Sequence, residues 1–489
     1  MSSRQYAYLI VPFLLVAIVL PAMLDLGYWL TDAEVLLMAL LFFVIGLVLS
    51  SVLKEFDRVR GALIAFLIYW IMDGYFLGAP WVALVVGVAL YFLLQSRFSE
   101  NLLPMILTFC VVWILFSMVQ PNKLLLAPVL NDSDVIAKVE RNHLPPIIHV
   151  ILDEQMSPDA VSGSAELIPE IKRIEQEYIK RNFNFYTDVR SSSHETQESI
   201  SDILSLKDKA VNNVTNADKF SYAVKDNRYY EQLAKAGYDV LTIQSSFLDI
   251  CGDFKRCHTY DFYNTSHYAQ QTIENDLNLR MRLAFLQVHF YFYTKNSKKA
   301  KGISNVFLYR KAMITLGVHA ENKRSRYAST LAMISVLDEM NKAVQSAENG
   351  KAYIFHLLLP HTPYMLDEAC HVRAYRDWVL PNRWSSKKLD RSEIYRAYWE
   401  QSICAHAKVM ALVDSAIAKF GQDGFIFIVH GDHGARVTFK DTSGVEKDDS
   451  ADMTQTYFSV KFPQSIGEKF EKESSLPELF VEHVNQLLN

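Results

Sequence analysis

Five apolar runs open the chain, at about residues 7–29, 34–53, 61–77, 79–95 and 101–119. Each is long enough to cross the hydrocarbon core of a bilayer as a helix. Asp73 lies near the end of the third, and residues 61–95 admit a second reading as one span plus a re-entrant piece. No small-residue cleavage site follows the first run and four more runs come after it, which argues against a removable signal peptide. Beyond residue 146 the pattern changes. Ile147–Leu152 is a short continuous apolar run bounded by prolines, which suits a strand buried on both faces of a parallel sheet. Runs of the same kind recur at Tyr238–Ile243, Ala352–Leu359 and Gly424–His430, and Phe183–Val189 reads as a further short strand. Helical text lies between them, as in Ser392–Phe420 with Gly421 as its stop. The alternation predicts an α/β domain of three layers. Residues 120–146, with Pro121, Pro128, Pro145 and Pro146, read as a linker. The expected organisation is a transmembrane domain of about five helices over 1–119, a linker over 120–146 and an extracytoplasmic catalytic domain over 147–489.

Charge sharpens the division. Residues 1–119 hold five basic and seven acidic side chains, against 49 Lys+Arg and 54 Asp+Glu in the whole chain of 489 residues. The front is membrane-like and the rest has ordinary globular charge density. A net charge of −5 gives no electrostatic case for nucleic-acid binding. A transporter is disfavoured, because most of the chain lies outside the apolar runs. Arg4, the Lys54/Arg58/Arg60 group and Arg97 all fall on one side of the five runs, and the alternate loops carry no Lys or Arg. That side is read as cytoplasmic. Residue 120 onward then lies outside, in the periplasm of a Gram-negative cell or on the extracellular face otherwise, and the protein is expected in a bacterial inner (cytoplasmic) membrane. Cys110 lies inside the fifth run, and Cys251, Cys257, Cys370 and Cys404 lie in the polar part. Four cysteines allow three pairings, and an oxidising compartment favours disulfides. Cys251–Cys257 with Cys370–Cys404 is the expected pairing, because the first two are close in sequence between strand-like and turn-like text.

Chemistry in open α/β sheets sits beyond the carboxyl ends of the strands. After the first strand come Asp153-Glu154, after the third His361-Thr362-Pro363-Tyr364, and after the fourth Asp432-His433. Acidic oxygens and imidazoles converging on one edge are the ligand set of a divalent cation. Each element alone has a plainer reading: an acidic pair caps a helix, Gly431-Asp432-His433-Gly434 forms a turn, and His361 is a loop histidine. Three of them at three strand ends weigh more together. Hydroxyls crowd Arg190–Ser201, where Ile200, Ile203 and Leu204 fall at helical spacing. Free N–H groups at such a helix start favour an anion. Ser192 and Glu195 also fit a capping box there, a role compatible with a nearby catalytic hydroxyl.

At these residues the sequence resembles the alkaline phosphatase/sulfatase superfamily. It looks closest to the superfamily's membrane-anchored transferases: lipoteichoic acid synthases, lipid A phosphoethanolamine transferases and glucan phosphoglycerol transferases. The resemblance spans about 147–465 and includes the several-helix anchor. It implies an alkaline-phosphatase-like (sulfatase) α/β/α fold. By position Glu154 matches the first metal ligand, five residues before Asp159, with Asp153 as the second candidate. Thr196 matches the nucleophile, which is also a metal ligand, and Asp432 and His433 match the late ligands. His361 matches the residue that touches the substrate phosphate, with Tyr364 and Ser193 as further substrate contacts. The cysteines at 370 and 404 also resemble those of the phosphoethanolamine transferases. The usual acid after Asp-His-Gly is absent, and Ala435-Arg436 stand there. No Cys-x-Pro-x-Arg segment occurs, which disfavours a formylglycine sulfatase, and no further His/Asp cluster suggests a second metal.

The resemblance implies one divalent metal ion, zinc or manganese. It also implies transfer of a phospholipid head group, phosphoethanolamine or phosphoglycerol, through a phospho-threonine to a cell-envelope glycan or lipid. The partners expected are a phospholipid donor, an envelope glycan or lipid acceptor and the membrane, with no nucleic acid. A phosphodiesterase, phosphatase or sulfatase-like hydrolase of the same fold is the first alternative, and an inactive lipid- or partner-binding member is the second. Residues 282–293, apolar and aromatic, precede Lys295, Lys298, Lys299 and Lys301. They read equally as an interfacial helix or as a core helix with a solvated basic end.

Overall fold

The computed structural model describes residues 3–71, 80–94, 99–119, 144–160, 167–207, 213–216, 222–245, 247–252, 256–260, parts of 277–288, 328–345, 347–374, 377–381, 389–437 and 451–488. The linker residues 120–143, Arg97, the Asp73 turn and the lysines after residue 293 lie outside the described residues. The chain divides into two compact units, Met1–Leu124 with Phe262–Ala328, and Leu125–Asp261 with Ser329–Asn489.

The first unit contains helices α1 (Ser3–Asp25), α2 (Ala33–Val52), α3 (Asp57–Ile71), α4 (Pro80–Leu94) and α5 (Ser99–Val119). Two stretches are long and apolar enough to cross a membrane, Tyr8–Asp25 and Ala33–Val52, while Val85–Leu94 and Leu102–Met118 are shorter apolar helices. The α1–α2 pair is close: Gly46 meets Pro12, whose Cα would lie 2.4 Å from an added Cβ. Helical turns between 277 and 288 belong to this unit. There Ala284 and Val288 are buried with Val19, Met23, Tyr28 and Met38, and Arg280 pairs with the buried Glu34.

The second unit is built on a nine-stranded sheet. Its strands are β1 (Ile147–Leu152), β2 (Asn184–Arg190), β5 (Asp239–Ser245), β7 (Cys257–Tyr260), β8 (Lys351–Leu357), β9 (Ile426–Gly431), β10 (Gln455–Lys461), β11 (Lys469–Phe470) and β12 (Ser474–Ser475). The order is β11-β2-β10-β9-β1-β8-β5-β7, with β12 also beside β2. A small sheet holds β3 (Val214–Thr215), β4 (Tyr222–Val224) and β6 (Leu248–Asp249). β1 lies at the centre, parallel to β8 and β9, and all six of its residues are buried. Two faces covered by apolar helices leave no room for alternation, hence the unbroken Ile-Ile-His-Val-Ile-Leu run.

Alternate β1 residues face opposite layers. Ile147 and Ile151 pack with Ile354, Ile428 and Val460 against Ile200 and Leu204 of α7 (Thr196–Ser205), Tyr229 and Leu233 of α8 (Arg228–Lys235), and Phe480 and Val484 of α12 (Leu476–Leu488). On the opposite face lie α6 (Ile168–Lys180) and α10 (Arg391–Phe420), where Tyr178 meets His406, Phe185 and Tyr457. The unit is thus a three-layer α/β/α fold, as the alternation predicts. The ladder runs in register: Leu152 pairs with Leu357 on one side and Gly431 on the other, so the residues that follow emerge together at one edge. The antiparallel β10 reverses direction between β9 and β2, which returns the carboxyl end of β2 to that same edge. Both expected disulfides, Cys251–Cys257 and Cys370–Cys404, are formed.

Candidate metal centre and nucleophile

The ladder continues one residue past the strands. The Asp153 N–H donates to Leu357 O at 3.0 Å, and the Asp432 N–H donates to Leu152 O at 3.3 Å. Sheet register therefore fixes where both carboxylates stand. Asp153, Asp432 and His433 are buried and offer ligand atoms that all lie within 4.8 Å of one another. His433 Nε2 is 3.4 Å from Asp432 Oδ2 and 3.9 Å from Asp153 Oδ1.

The glycines around Asp432 are set by close approach. A Cβ on Gly431 would lie 2.3 Å from Thr456 Oγ1 and 2.4 Å from Gln155 O, and one on Gly434 would lie 2.1 Å from Asp452 O. Asp432 Oδ1 accepts two backbone N–H groups, from Glu154 at 3.0 Å and from His433 at 2.8 Å. Its Oδ2 has no hydrogen-bond partner among the described residues, and neither has Asp153 Oδ1. Two buried, unpartnered carboxylate oxygens beside an imidazole are costly unless a cation satisfies them. The residues fit a divalent ion on that count.

His433 is suited to the same role. Its Nδ1–H donates to Gly434 O at 2.7 Å, so the lone pair of the neutral ring sits on Nε2. Burial, with Arg436 second, lowers its pKa to about 4, so the ring is neutral at pH 7. Burial and then the Asp153 charge push Asp432 well above the usual carboxylate range. Burial acts on Asp153 too, but His361, His356 and His433 outweigh it and hold that carboxyl low.

Thr196 is buried at the first position of α7, and its Oγ1 lies 3.0 Å from His433 Nε2. The helix begins there with Glu195 at the N-cap, whose side chain makes no capping bond. Ser193, rather than the expected Ser192, braces the turn before it: its hydroxyl accepts the Glu195 N–H at 3.1 Å and donates to Glu198 Oε2 at 2.7 Å. Ser199 Oγ donates to Asp432 O at 2.6 Å, tying the α7 start to the Asp-His turn. The sequence-derived residues Asp153, Thr196, Asp432 and His433 thus meet in one place.

Glu154, the first candidate ligand, is engaged elsewhere. Its Oε1 accepts from Arg436 Nε at 3.1 Å and Nη2 at 2.5 Å, and its Oε2 accepts the Thr362 N–H at 3.2 Å. Of the two neighbouring acids, Asp153 is the one grouped with Asp432 and His433. The turn rather than the strand decides this, because Glu154 takes a left-handed backbone with φ 63°. Tyr398 fixes that turn by donating to Glu154 O at 3.0 Å and accepting the Met156 N–H at 2.6 Å.

His361 lies beside Glu154, its Nε2 3.8 Å from Glu154 Oε1 and its side chain 26% exposed. Gln401 of α10 clasps its loop. Gln401 Nε2 donates to Pro360 O, His361 O and Pro363 O at 3.0, 3.1 and 3.3 Å, and Gln401 Oε1 accepts the Met365 and Leu366 N–H groups. Tyr364 is fully buried, its ring edge-on to Tyr398 with centroids 5.6 Å apart. Sequence reading missed Arg436, Gln401 and Tyr398 as members of the site. Arg436 had left one signal, a basic residue where the pattern asks for an acid. The other two look like ordinary helix residues.

No family model and no curated protein matches the chain. Solved structures do. The C-terminal periplasmic domain of phosphoethanolamine transferase EptC from Campylobacter jejuni is 12% identical, with a TM-score of 0.39 over 71% of this chain and 94% of that one. A phosphonate monoester hydrolase of Agrobacterium radiobacter is 10% identical, with a TM-score of 0.39 over 70% and 73%. A 2-O GAG sulfatase is 9% identical, with a TM-score of 0.41 over 71% and 70%. All three are proteins of the alkaline phosphatase/sulfatase superfamily.

Proposed function

We propose that this protein transfers a phospholipid head group, phosphoethanolamine or phosphoglycerol, to a hydroxyl of an envelope glycan or lipid by way of Thr196. The observation that carries the reading is the 3.0 Å contact between Thr196 Oγ1 and His433 Nε2, beside two carboxylate oxygens that lack partners among the described residues. Asp153, Asp432 and His433 would hold one zinc or manganese ion, with Thr196 beside it. When bound, such an ion lowers the pKa of a neighbouring hydroxyl and neutralises charge on an ester's oxygens.

The chain's own residues supply the rest. Thr196 is aligned by its helix start and by His433. With its proton given up to solvent, its oxygen attacks phosphorus, the bond from phosphorus to the diacylglycerol oxygen breaks, and a Thr196 phosphodiester forms. The departing oxygen takes up a proton, for which partly exposed His361 is the donor. The acceptor hydroxyl then gives its proton to His361 and attacks the same phosphorus, and the bond to Thr196 breaks, which restores both groups to their starting state. The start of α7 adds the partial positive charge of its unpaired N–H groups.

The front of the chain fits a membrane-bound donor. We take the five N-terminal helices as an anchor that puts the α/β unit outside the cytoplasmic membrane, where tethering raises the local concentration of lipid head groups. The two disulfides agree with that compartment. The test is mass spectrometry of the full chain exposed to phosphatidylethanolamine or phosphatidylglycerol without acceptor. A head-group phosphate adduct on Thr196 is expected, and its mass names the group. Turnover of the lipid with Thr196→Ala would refute the assignment.

A further inference from the structure

Arg436 and Glu154 form a buried ion pair against the triad. Arg436 donates from Nε and Nη2 to a single oxygen, Glu154 Oε1, and from Nη1 to His194 O at 3.1 Å. Glu195 Oε2 stands 3.8 Å from Nη1, but that side chain is 42% exposed and water screens it. Both partners of the pair take a left-handed backbone, Glu154 with φ 63° and Arg436 with φ 55°. Two such conformations in non-glycine residues are costly and persist where the surrounding structure fixes them. Here it does: the Glu154 N–H is bound by Asp432 Oδ1, and the Arg436 N–H donates to Asp452 O at 3.0 Å.

The arrangement has a consequence for charge. Asp153 and Asp432 together match a divalent ion, and Glu154 cancels Arg436. We infer that Glu154 is a specificity residue rather than a ligand, and that its pairing with Arg436 sets the pocket to accept a singly charged ester in preference to a doubly charged phosphate monoester. This rests on reading Asp153, Asp432 and His433 as the metal group. A cation unopposed at Arg436 would draw a dianion strongly at so buried a position, whereas the neutralised pair leaves no fixed charge of its own to offset the second charge. Phosphodiesters and sulfate monoesters are both monoanions, so the geometry selects charge and leaves the central atom to be distinguished by experiment.

The test uses the full chain in detergent with manganese. Calorimetry measures manganese binding for the parent, Glu154→Gln and Asp153→Asn. Kinetics compare methyl 4-nitrophenyl phosphate and 4-nitrophenyl sulfate, both monoanions, with 4-nitrophenyl phosphate, a dianion. The parent is expected to favour one of the monoanions, and which one tells phosphorus from sulfur. Glu154→Gln should keep manganese affinity within about threefold and raise the dianion-to-monoanion ratio of kcat/KM at least about tenfold. Arg436→Gln, which serves if Glu154→Gln does not fold, should lower that ratio, and the double variant should return it toward the parent value. An unchanged ratio in these variants overturns the inference, as does loss of manganese in Glu154→Gln equal to that in Asp153→Asn. Retention of manganese by Asp153→Asn would instead remove the metal group on which the inference stands.

Discussion

Thr196 Oγ1 stands 3.0 Å from His433 Nε2, although 237 residues separate the two in sequence. The contact joins the start of α7 to the turn after β9, and the antiparallel β10 between β9 and β2 is what brings those elements to one edge. Replacing Thr196 with Ala removes the oxygen without disturbing the Ser199 bond to Asp432 O. Head-group release should fall at least about a thousandfold, by analogy with loss of other nucleophiles. Thermal unfolding should move by no more than a degree or two. A large shift in melting would mean the hydroxyl is structural.

Metal should stabilise the folded chain through the same edge. With ion at a hundredfold excess over its dissociation constant, the gain is about 2.7 kcal/mol. Asp432→Asn should abolish the manganese-induced rise in melting temperature, because it weakens the ligand whose Oδ2 has no hydrogen-bond partner among the described residues. Differential scanning calorimetry with and without EDTA measures both effects, and an undiminished rise in the variant would exclude Asp432 from the site.

Acid should destabilise the protein as its buried histidines take up protons. Burial lowers His433, His430 and His258 to about 4 and His406 to about 3, from about 6.5 in an unfolded chain. Between those values the unfolded state binds more protons. Stability is therefore complete above pH 6.5 and declines as the pH falls toward 4, by up to about 1.4 kcal/mol per unit for each such histidine. Urea midpoints at pH 7.5 and pH 5 report it, and equal midpoints would contradict the burial of these rings.

Gln401 bonds five backbone groups of the 360–366 loop, so Gln401→Leu leaves buried carbonyls and N–H groups unpaired. The expected loss is at least about 2 kcal/mol in denaturant unfolding. Turnover should fall beyond what stability explains, because His361 rides on that loop. A variant with lower stability and unchanged kcat would detach His361 from the chemistry.

The Cys370–Cys404 bond closes 34 residues and pins the segment after His361 to α10. Reduction, or Cys370→Ala, should cost about 3 to 4 kcal/mol by the loop-entropy estimate. Thermal melts with and without dithiothreitol give the number, with Cys370→Ala as the control that should not respond further at that site.

Much of this was legible from the chain alone, for a physical reason. β1, β5, β8 and β9 are buried on both faces, so their apolar runs are unbroken and their boundaries differ from expectation by no more than a few residues. The helix ending at Phe420 and its Gly421 stop were equally plain. β11 and β12 were not, because strands of two residues have no periodicity to read. The choice between Asp153 and Glu154 was also hidden. Adjacent acids at a strand end differ only in which way the turn carries them, and the turn is fixed by Tyr398 from a helix 242 residues away. Arg436 was visible only as a missing acid. What it neutralises depends on the turn that faces Glu154 toward it.

The separation of Asp153 from Asp432 also sets an order of events during maturation. The two carboxylates become neighbours only when β9 has docked beside β1, after more than four hundred residues have left the ribosome. No piece of the chain that ends before β9 contains both halves of the cradle. Ion capture is therefore a closing step, and a chain stopped before β9 would hold Asp153 without its counterpart and keep no ion there.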